Sequence, residues 1–485
     1  MKTVRLFLIL AILMALAGLT TCAKNPVTGK RQLVLISENQ EIAMGQASDP
    51  EVRKEYGVVE QQGIQTYIQT LGRKLAAASP RPNLEWHFTV VDSPVVNAFA
   101  VPGGYIYITR GILAYINNEA ELATVLGHEV GHVAARHSVV QLSRMQLTQF
   151  GLGAGSVLSP TFGRVGGAAN NATGVLFLRF GRDDERQADQ LGVEYAARVG
   201  YDPREVSNFF EVLGRLSGSS DRETIPGFLS THPDPGERVQ NTRALAQKWI
   251  QQLNLQPTQM TVNRDGHLRN TDGMVFGDNP REGFVENARF YHPELQFQID
   301  FPSGWNVENT KAAVIAIDSQ RTAQMQLQLA EVPDGTTADA FQRQLADKGL
   351  RPQTSQQITI HGNRSVLAVY VLQAESGNVP VLAGFVEYRR KLYQIVGEAT
   401  DFARMRNAME DAIRSFDRIT DQRILAAQPD RLVIYTARQG DTLNSIAARL
   451  NNPRVNADQL AVLNRMAIDQ ALTPGRLVKT VTKGY

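Results

Sequence analysis

At 485 residues the chain is too long for one compact core, and its length points to about three domains. Apolar residues make up 43% and charged residues 20%, a globular balance. There are 50 basic and 48 acidic side chains, and setting aside residues 1–21 removes Lys2 and Arg5 and no acid, which leaves 48 of each. That neutrality gives no reason to expect nucleic acid or a strongly acidic partner.

The first segment differs from the rest. Lys2 and Arg5 precede Leu6 to Leu19, an uncharged apolar run of 14 residues. A membrane-spanning helix takes about 20, so residues 1–21 are expected to be an export signal. Cys22 is the only cysteine, so no internal disulfide is available to it. Leu19-Thr20-Thr21-Cys22-Ala23 resembles a bacterial lipoprotein cleavage box, although Thr21 stands where Gly, Ala or Ser is usual. The resemblance implies acylation of Cys22, a membrane link by lipid anchor only, and, with Ala23 rather than Asp next, the outer membrane. A plain secretory signal is the alternative. No later stretch has 18 uncharged apolar residues.

Residues 23–36 are expected to be an extended leader with turns at Asn25-Pro26 and Thr28-Gly29. Residues 22–254 form the first expected domain, mainly helical, interrupted by strands at His87–Val91 and Tyr105–Ile108. Residues 255–285 are rich in Gln, Asn, Asp and Gly and are expected to be a linker. Residues 286–420 alternate strand-like runs with two helices, near 338–348 and 402–416, which predicts an α+β domain. A small unit follows at 430–482. The fold class is therefore multidomain.

The chemistry concentrates in Leu126-Gly-His128-Glu129-Val-Gly-His132, an H-E-x-x-H pattern. Asn118 is placed to cap that helix, with Glu121 three residues on. Histidines four apart share a helix face and both reach one tetrahedral Zn²⁺. Glu129 is rotated about 100° from His128 and sits beside the metal as general base. Gly127 and Gly131 weaken the helix, which suggests close packing against that face. His137 lies roughly 140° around a continuous helix from His132, so it is expected on the surface or behind the ligands. The third ligand is expected from Arg182-Asp-Asp-Glu185-Arg-Gln-Ala-Asp189: Glu185 on the metal, and Asp189 one turn on, accepting the free N–H of a liganding histidine. A charged, solvated helix face is the competing account of that segment.

H-E-x-x-H followed by E-x-x-A-D resembles the bacterial periplasmic zinc peptidases typified by BepA and LoiP, relatives of HtpX and the CAAX prenyl proteases. Asn97-Ala-Phe-Ala-Val-Pro-Gly-Gly-Tyr-Ile-Tyr-Ile108, Asn25-Pro-Val-Thr-Gly29 and Thr231-His-Pro233 carry the same likeness. It implies a helix-rich gluzincin domain with a small sheet, one zinc per chain, and hydrolysis of misfolded or misassembled envelope proteins. It also implies that His232 closes on the metal in a resting state, with Arg238 nearby. Alternatively His232 or Arg238 stabilises the oxyanion, or the His-Pro-Asp-Pro-Gly run is only a turn. Asn97, Ala98 and Phe99 suit an edge strand that pairs with an extended substrate; an ordinary core hairpin is equally open. The glycine-dense stretch between Ser138 and Phe180 reads as a lid or as a membrane-facing or partner-facing patch.

Residues 286–420 loosely resemble small PsbP/Mog-type α/β domains, and His292 and His361 there are expected to be ordinary residues. The last unit, with Gly440-Asp441-Thr442-Leu443 and Leu472-Thr-Pro474-Gly475, resembles a βααβ LysM module. That likeness makes peptidoglycan a candidate partner. The rival account of the whole chain is a non-catalytic envelope chaperone or wall-binding scaffold with a structural zinc. Three protein ligands and an unneeded Glu129 speak against it, since structural zinc is usually closed by four.

Overall fold

The computed structural model describes residues 22–152, 180–217, 228, 231–232, 235–286, 289–374 and 377–484. The expected export signal and most of the glycine-dense stretch after Ser138 lie outside them. Two compact units emerge. One runs to Gly277 and resumes at Asp430–Lys483; the other spans Asp278–Pro429.

The first unit opens with a hairpin, β1 (Cys22–Lys24) against β2 (Arg31–Leu33), where an extended leader was expected. Asn25 makes the turn: its Oδ1 accepts from Val27 and Thr28 amides, while its Nδ2 donates to Ala135 O at 3.1 Å. Helix α1 (Glu38–Tyr56) starts at a Ser37–Gln40 capping box. Helix α2 (Gln62–Ala77) buries Ile64, Ile68, Leu71 and Leu75, a single stripe at helical spacing. A three-stranded sheet follows in the order β3 (His87–Val91), β5 (Tyr105–Thr109), β4 (Ala98–Val101). The expected edge strand is thus split. Gly103 and Gly104, at φ 83° and 95°, turn the chain, and only β4 lies at an edge while β5 is central.

Helix α3 (Arg110–Tyr115) links β5 to α4 (Glu119–Ala134), which is buried from Ala120 to Ala134. Helices α5 (His137–Leu152), α6 (Arg182–Arg198), α7 (Val206–Ser217) and α8 (Pro235–Gln252) complete the surround. Residues 255–285 are not a spacer: α9 (Arg264–Thr271) lies there, and its His267 and Leu268 are fully buried. Their polar composition hides a few residues that pack, which a composition argument averages away. Among the described residues no helix is long and apolar enough to cross a membrane.

The second unit is α+β. Strands β6 (Phe284–Glu286), β7 (Arg289–His292), β8 (Phe297–Asp300) and β16 (Asp417–Arg418) form one sheet. A seven-stranded sheet takes β9 (Asn306–Asn309), β10 (Val314–Ile317), β11 (Ala323–Leu329), β12 (Thr354–Ile360), β13 (Asn363–Ala374), β14 (Gly377–Tyr388) and β15 (Lys391–Ala399). Its order is β12-β13-β14-β15-β11-β10-β9. Side chains alternate across it. Leu367 and Val369 face the cluster holding Met409 and Ile413 of α11 (Phe402–Arg414). Val366, Ala368 and Tyr370 face the cluster under α10 (Ala338–Asp347).

The chain then returns to the first unit as β17 (Arg431–Thr436), α12 (Leu443–Leu450), α13 (Ala457–Asn464) and β18 (Leu477–Thr482). Gly440 turns at φ 83° and Thr442 caps α12, as the βααβ reading requires. Leu432, Leu443, Leu460 and Val478 belong to the same apolar cluster as Ile68, Leu122 and Leu126. The last module is not a bead on a string; it shares the core of α2 and α4.

Candidate metal centre

Helix α4 is built as its sequence predicts. Asn118 Oδ1 accepts from Glu121 N at 2.8 Å, and Glu121 Oε2 accepts from Asn117 N at 2.7 Å. The glycine positions are explained by α6. A Cβ on Gly127 would lie 3.1 Å from Gly192 Cα, and one on Gly192 would lie 2.8 Å from both His128 N and Thr124 O. The two backbones touch, so residues one turn apart on each helix reach a common point.

At that point stand His128, His132, Glu185 and His232, all buried, with one donor atom from each inside a 4.8 Å span. His128 Nε2 and His132 Nε2 are 3.0 Å apart. Glu185 oxygens lie 3.5 Å from the first and 3.4 Å from the second. A tetrahedral zinc with bonds of about 2.0–2.1 Å spaces its ligand atoms roughly 3.3–3.4 Å apart, so the three fit.

The protons decide the matter. Asp189 Oδ1 accepts from His128 Nδ1 at 2.9 Å, which leaves Nε2 bare. Gln187 Oε1 accepts from His137 Nε2 at 2.9 Å, so His137 Nδ1 accepts from His132 Nδ1 at 2.9 Å and His132 Nε2 is bare as well. Burial holds His132 and His137 below the usual imidazole range, in keeping with neutral rings. Two lone pairs thus face each other in the interior, an arrangement that a cation between them relieves. Burial would raise Asp189, but the Arg238 guanidinium and the His128 bond hold its carboxyl below the ordinary range.

Glu129 lies beside the cluster, fully buried, with neither carboxylate oxygen hydrogen-bonded among the described residues. Burial pushes its carboxyl upward, with His232 and His128 opposing. His232 occupies the fourth place. Its Nδ1 is 2.9 Å from Glu185 Oε1 and 3.3 Å from His128 Nε2; its Nε2 is 3.4 Å from Ala98 O and 3.5 Å from Glu129 Oε1. Backbone hydrogen bonds tie it toward the segment before β4: His232 N donates to Phe228 O at 2.7 Å, and Phe228 N to Val96 O at 3.1 Å.

Ala98 lies on the side of β4 that pairs with no other strand among the described residues. Thr109 N donates to Asn97 O, so by alternation along β4 the Ala98 N–H and C=O point away from β5. Phe99 packs inward, 8% exposed, against Tyr56 and Tyr107. Arg238 is buried beside the cluster. Its Nε and Nη2 fork onto Asp189 at 2.9 and 2.5 Å, behind His128, and its face covers the Phe210 ring at 4.3 Å. That placement clamps Asp189 and leaves Nη1 3.6 Å from Glu185 Oε2.

His137 lies behind the ligands, one of its two expected places, and not at the surface: it is 4% exposed. The helix is not continuous, because Arg136 turns at φ 59° between α4 and α5, and that break swings His137 back behind His132. Phe180, stacked on His132 at a centroid distance of 4.0 Å, carries no motif that would have announced it.

Residues 63–246 match peptidase family M48, and residues 435–479 match the LysM domain. The beta-barrel assembly-enhancing protease of Yersinia pestis is 32% identical over 227 residues, 45% of this chain and 46% of that protein. The mitochondrial metalloendopeptidase OMA1 of Arabidopsis thaliana is 34% identical over 199 residues, 39% of this chain and 38% of that protein. The chain therefore matches less than half the length of either relative. The chain carries a peptidase family M48 domain that contains the His128–Glu129–His132–Glu185 cluster, and a LysM domain after it.

Proposed function

We propose that this chain is a zinc-dependent endopeptidase of the bacterial envelope. The observation that carries this is the pair of bare imidazole nitrogens 3.0 Å apart, with Glu185 closing the triangle and, beside it, Glu129, whose carboxylate has no hydrogen bond among the described residues. His128, His132 and Glu185 would hold one zinc. Bound there, it would supply Lewis acidity toward a peptide carbonyl and toward water. Glu129 takes the proton of the attacking water and returns it to the leaving amine. Its raised affinity for a proton suits both halves of that exchange. Asp189 and the His137–Gln187 pair hold the histidine tautomers, and Arg238 holds Asp189. The outward N–H and C=O of Ala98 offer an extended substrate main-chain hydrogen bonds.

His232 gives this proposal a resting state. It fills the fourth donor position and reaches Ala98 O, so it excludes substrate from the metal and from the edge together. Substrates would be misfolded or misassembled envelope proteins; relatives bearing the name beta-barrel assembly-enhancing protease support that class. A lipid on Cys22 would hold the enzyme at the outer membrane, and the LysM domain would bring it to peptidoglycan.

The test is casein cleavage by the purified mature chain with its zinc content measured, beside Glu129→Gln and His232→Ala. Cleavage by wild type, loss in Glu129→Gln with zinc retained, and a gain in His232→Ala fit the proposal. A zinc-loaded chain that cleaves nothing, in wild type and in His232→Ala alike, refutes it. Co-sedimentation of the intact chain with insoluble peptidoglycan, competed by N-acetylglucosamine oligomers, tests the wall contact. Competition is better than deletion of 430–485, because that segment shares the core.

A further inference from the structure

The end of α4 opposite the metal is held by residues far away in the chain. Lys479 of β18 is fully buried, and its Nζ donates to Ala114 O at 2.7 Å and Ile116 O at 3.0 Å, the terminal carbonyls of α3. Its own backbone is clipped to α13: Lys479 N donates to Asn464 Oδ1 at 2.7 Å, and Asn464 Nδ2 to Lys479 O at 2.8 Å. Arg465 places Nη1 3.5 Å from Glu121 Oε1, on the first turn of α4. His267 Nε2 donates to the same Ile116 O at 3.1 Å, and Val262 O accepts from Glu119 and Ala120 amides.

This junction sets a distance that matters. Helix α3 has six residues and joins the sheet to α4. At its other end Thr109 Oγ1 caps it by accepting from Ile112 N, and its single proton is shared between Val95 O at 2.6 Å and Asn97 O at 2.8 Å, beside the substrate edge. Sliding α4 at Ile116 therefore moves His128 and Glu129 relative to Ala98.

We propose that Lys479, with Arg465, is a positioning residue of the peptidase: the LysM domain fixes the start of the metal-bearing helix and so the spacing between metal and substrate edge. This rests on the peptidase reading above. A ligand-binding module would then double as part of the catalytic frame, whether or not glycan is bound. Two hydrogen bonds to carbonyls at the end of α3 also explain why a lysine is tolerated at full burial.

The experiment compares the intact mature chain with Lys479→Met, Lys479→Arg, Arg465→Gln and, as control, Arg454→Gln, which pairs with Asp430 of its own module. Casein kinetics, zinc content and hydrogen exchange over residues 110–122 are measured. Lys479→Met should lower kcat on the order of ten- to a hundredfold with KM and zinc content near wild type. Its exchange should quicken over 110–122 ahead of the rest of the unit. Lys479→Arg should recover most of both, Arg465→Gln should show a smaller loss, and the control none. Wild-type kcat and exchange in Lys479→Met overturn the proposal, as does a loss that tracks uniform exchange across the whole unit. Should Lys479→Met not fold, Arg465→Gln decides by the same two readouts. A zinc-loaded chain that cleaves nothing, in wild type and in His232→Ala alike, sinks the peptidase reading, while the exchange comparison still judges the clamp.

Discussion

The two ends of α4 are both buried and both crowded with polar groups, yet they are organised oppositely. At the Ile116–Glu121 end donors face acceptors: Lys479 and His267 on the Ile116 carbonyl, the Asn117 amide on Glu121, and Arg465 Nη1 3.5 Å from Glu121 Oε1. At the His128–His132 end acceptors face acceptors, and Glu129 has no hydrogen-bond partner among the described residues. Burying polar groups without partners costs free energy, so a fold retains that arrangement only where something else compensates. The satisfied end is structure, and the frustrated end is the candidate site.

The largest expected effect breaks the frustrated end by chemistry alone. Glu129→Gln should lower kcat on the order of a hundred- to ten-thousandfold, read as casein turnover at matched zinc content. It should leave thermal stability equal or higher, since it neutralises a buried group that burial already disfavours as an anion. A fall in Tm of several degrees would place Glu129 on the structural side of the comparison.

Next comes the support behind the ligands. Asp189→Asn removes the anion that fixes His128 and receives the Arg238 fork. Zinc affinity should fall about 10- to 100-fold, measured by competition with a chelating dye. Unchanged affinity would mean that His128 needs no such orientation.

Gly192→Ala tests the contact that brings the two helices together. A methyl there meets backbone of His128 and Thr124 at 2.8 Å, and backbone cannot rotate aside. The expected cost is about 1–3 kcal/mol of stability, with weaker zinc binding because Glu185 moves away from the histidines. Denaturation of the metal-free protein reads the first effect apart from the second.

Much of the frustrated end was legible because its chemistry is local. H-E-x-x-H places two donors on one helical turn, and Glu185 with Asp189 repeats the spacing on a second helix. The glycines at 127 and 131 signalled the close approach without saying that Gly192 is the partner. His137 was left between the surface and a place behind the ligands because the helix was carried through Arg136, whose positive φ has no sequence mark as clear as a glycine. The satisfied end was invisible for a different reason. Lys479 and Ala114 are 365 residues apart. A lysine in a strand reads as solvent-facing, and His267 sits in a segment whose composition suggests a linker.

The smallest effect sharpens the comparison from the satisfied side. His267 accepts from Tyr67 OH at 3.0 Å through Nδ1 and donates to Ile116 O through Nε2, so it is neutral in the fold. Burial, and then the charge of Lys479, push its pKa down to about 3. The unfolded chain binds this proton near pH 6.5 and the folded chain only near pH 3, so stability is full above about 6.5 and is lost as pH falls toward 3. That single group should cost about 3 kcal/mol between pH 7 and pH 4. His267→Gln keeps a donor for Ile116 O and an acceptor for Tyr67 but cannot titrate. Urea denaturation of the zinc-free proteins across that range should show a shallower pH dependence for the variant. Parallel curves would mean that His267 is protonated in the fold, and that the junction holding α4 is less completely satisfied than its hydrogen bonds imply.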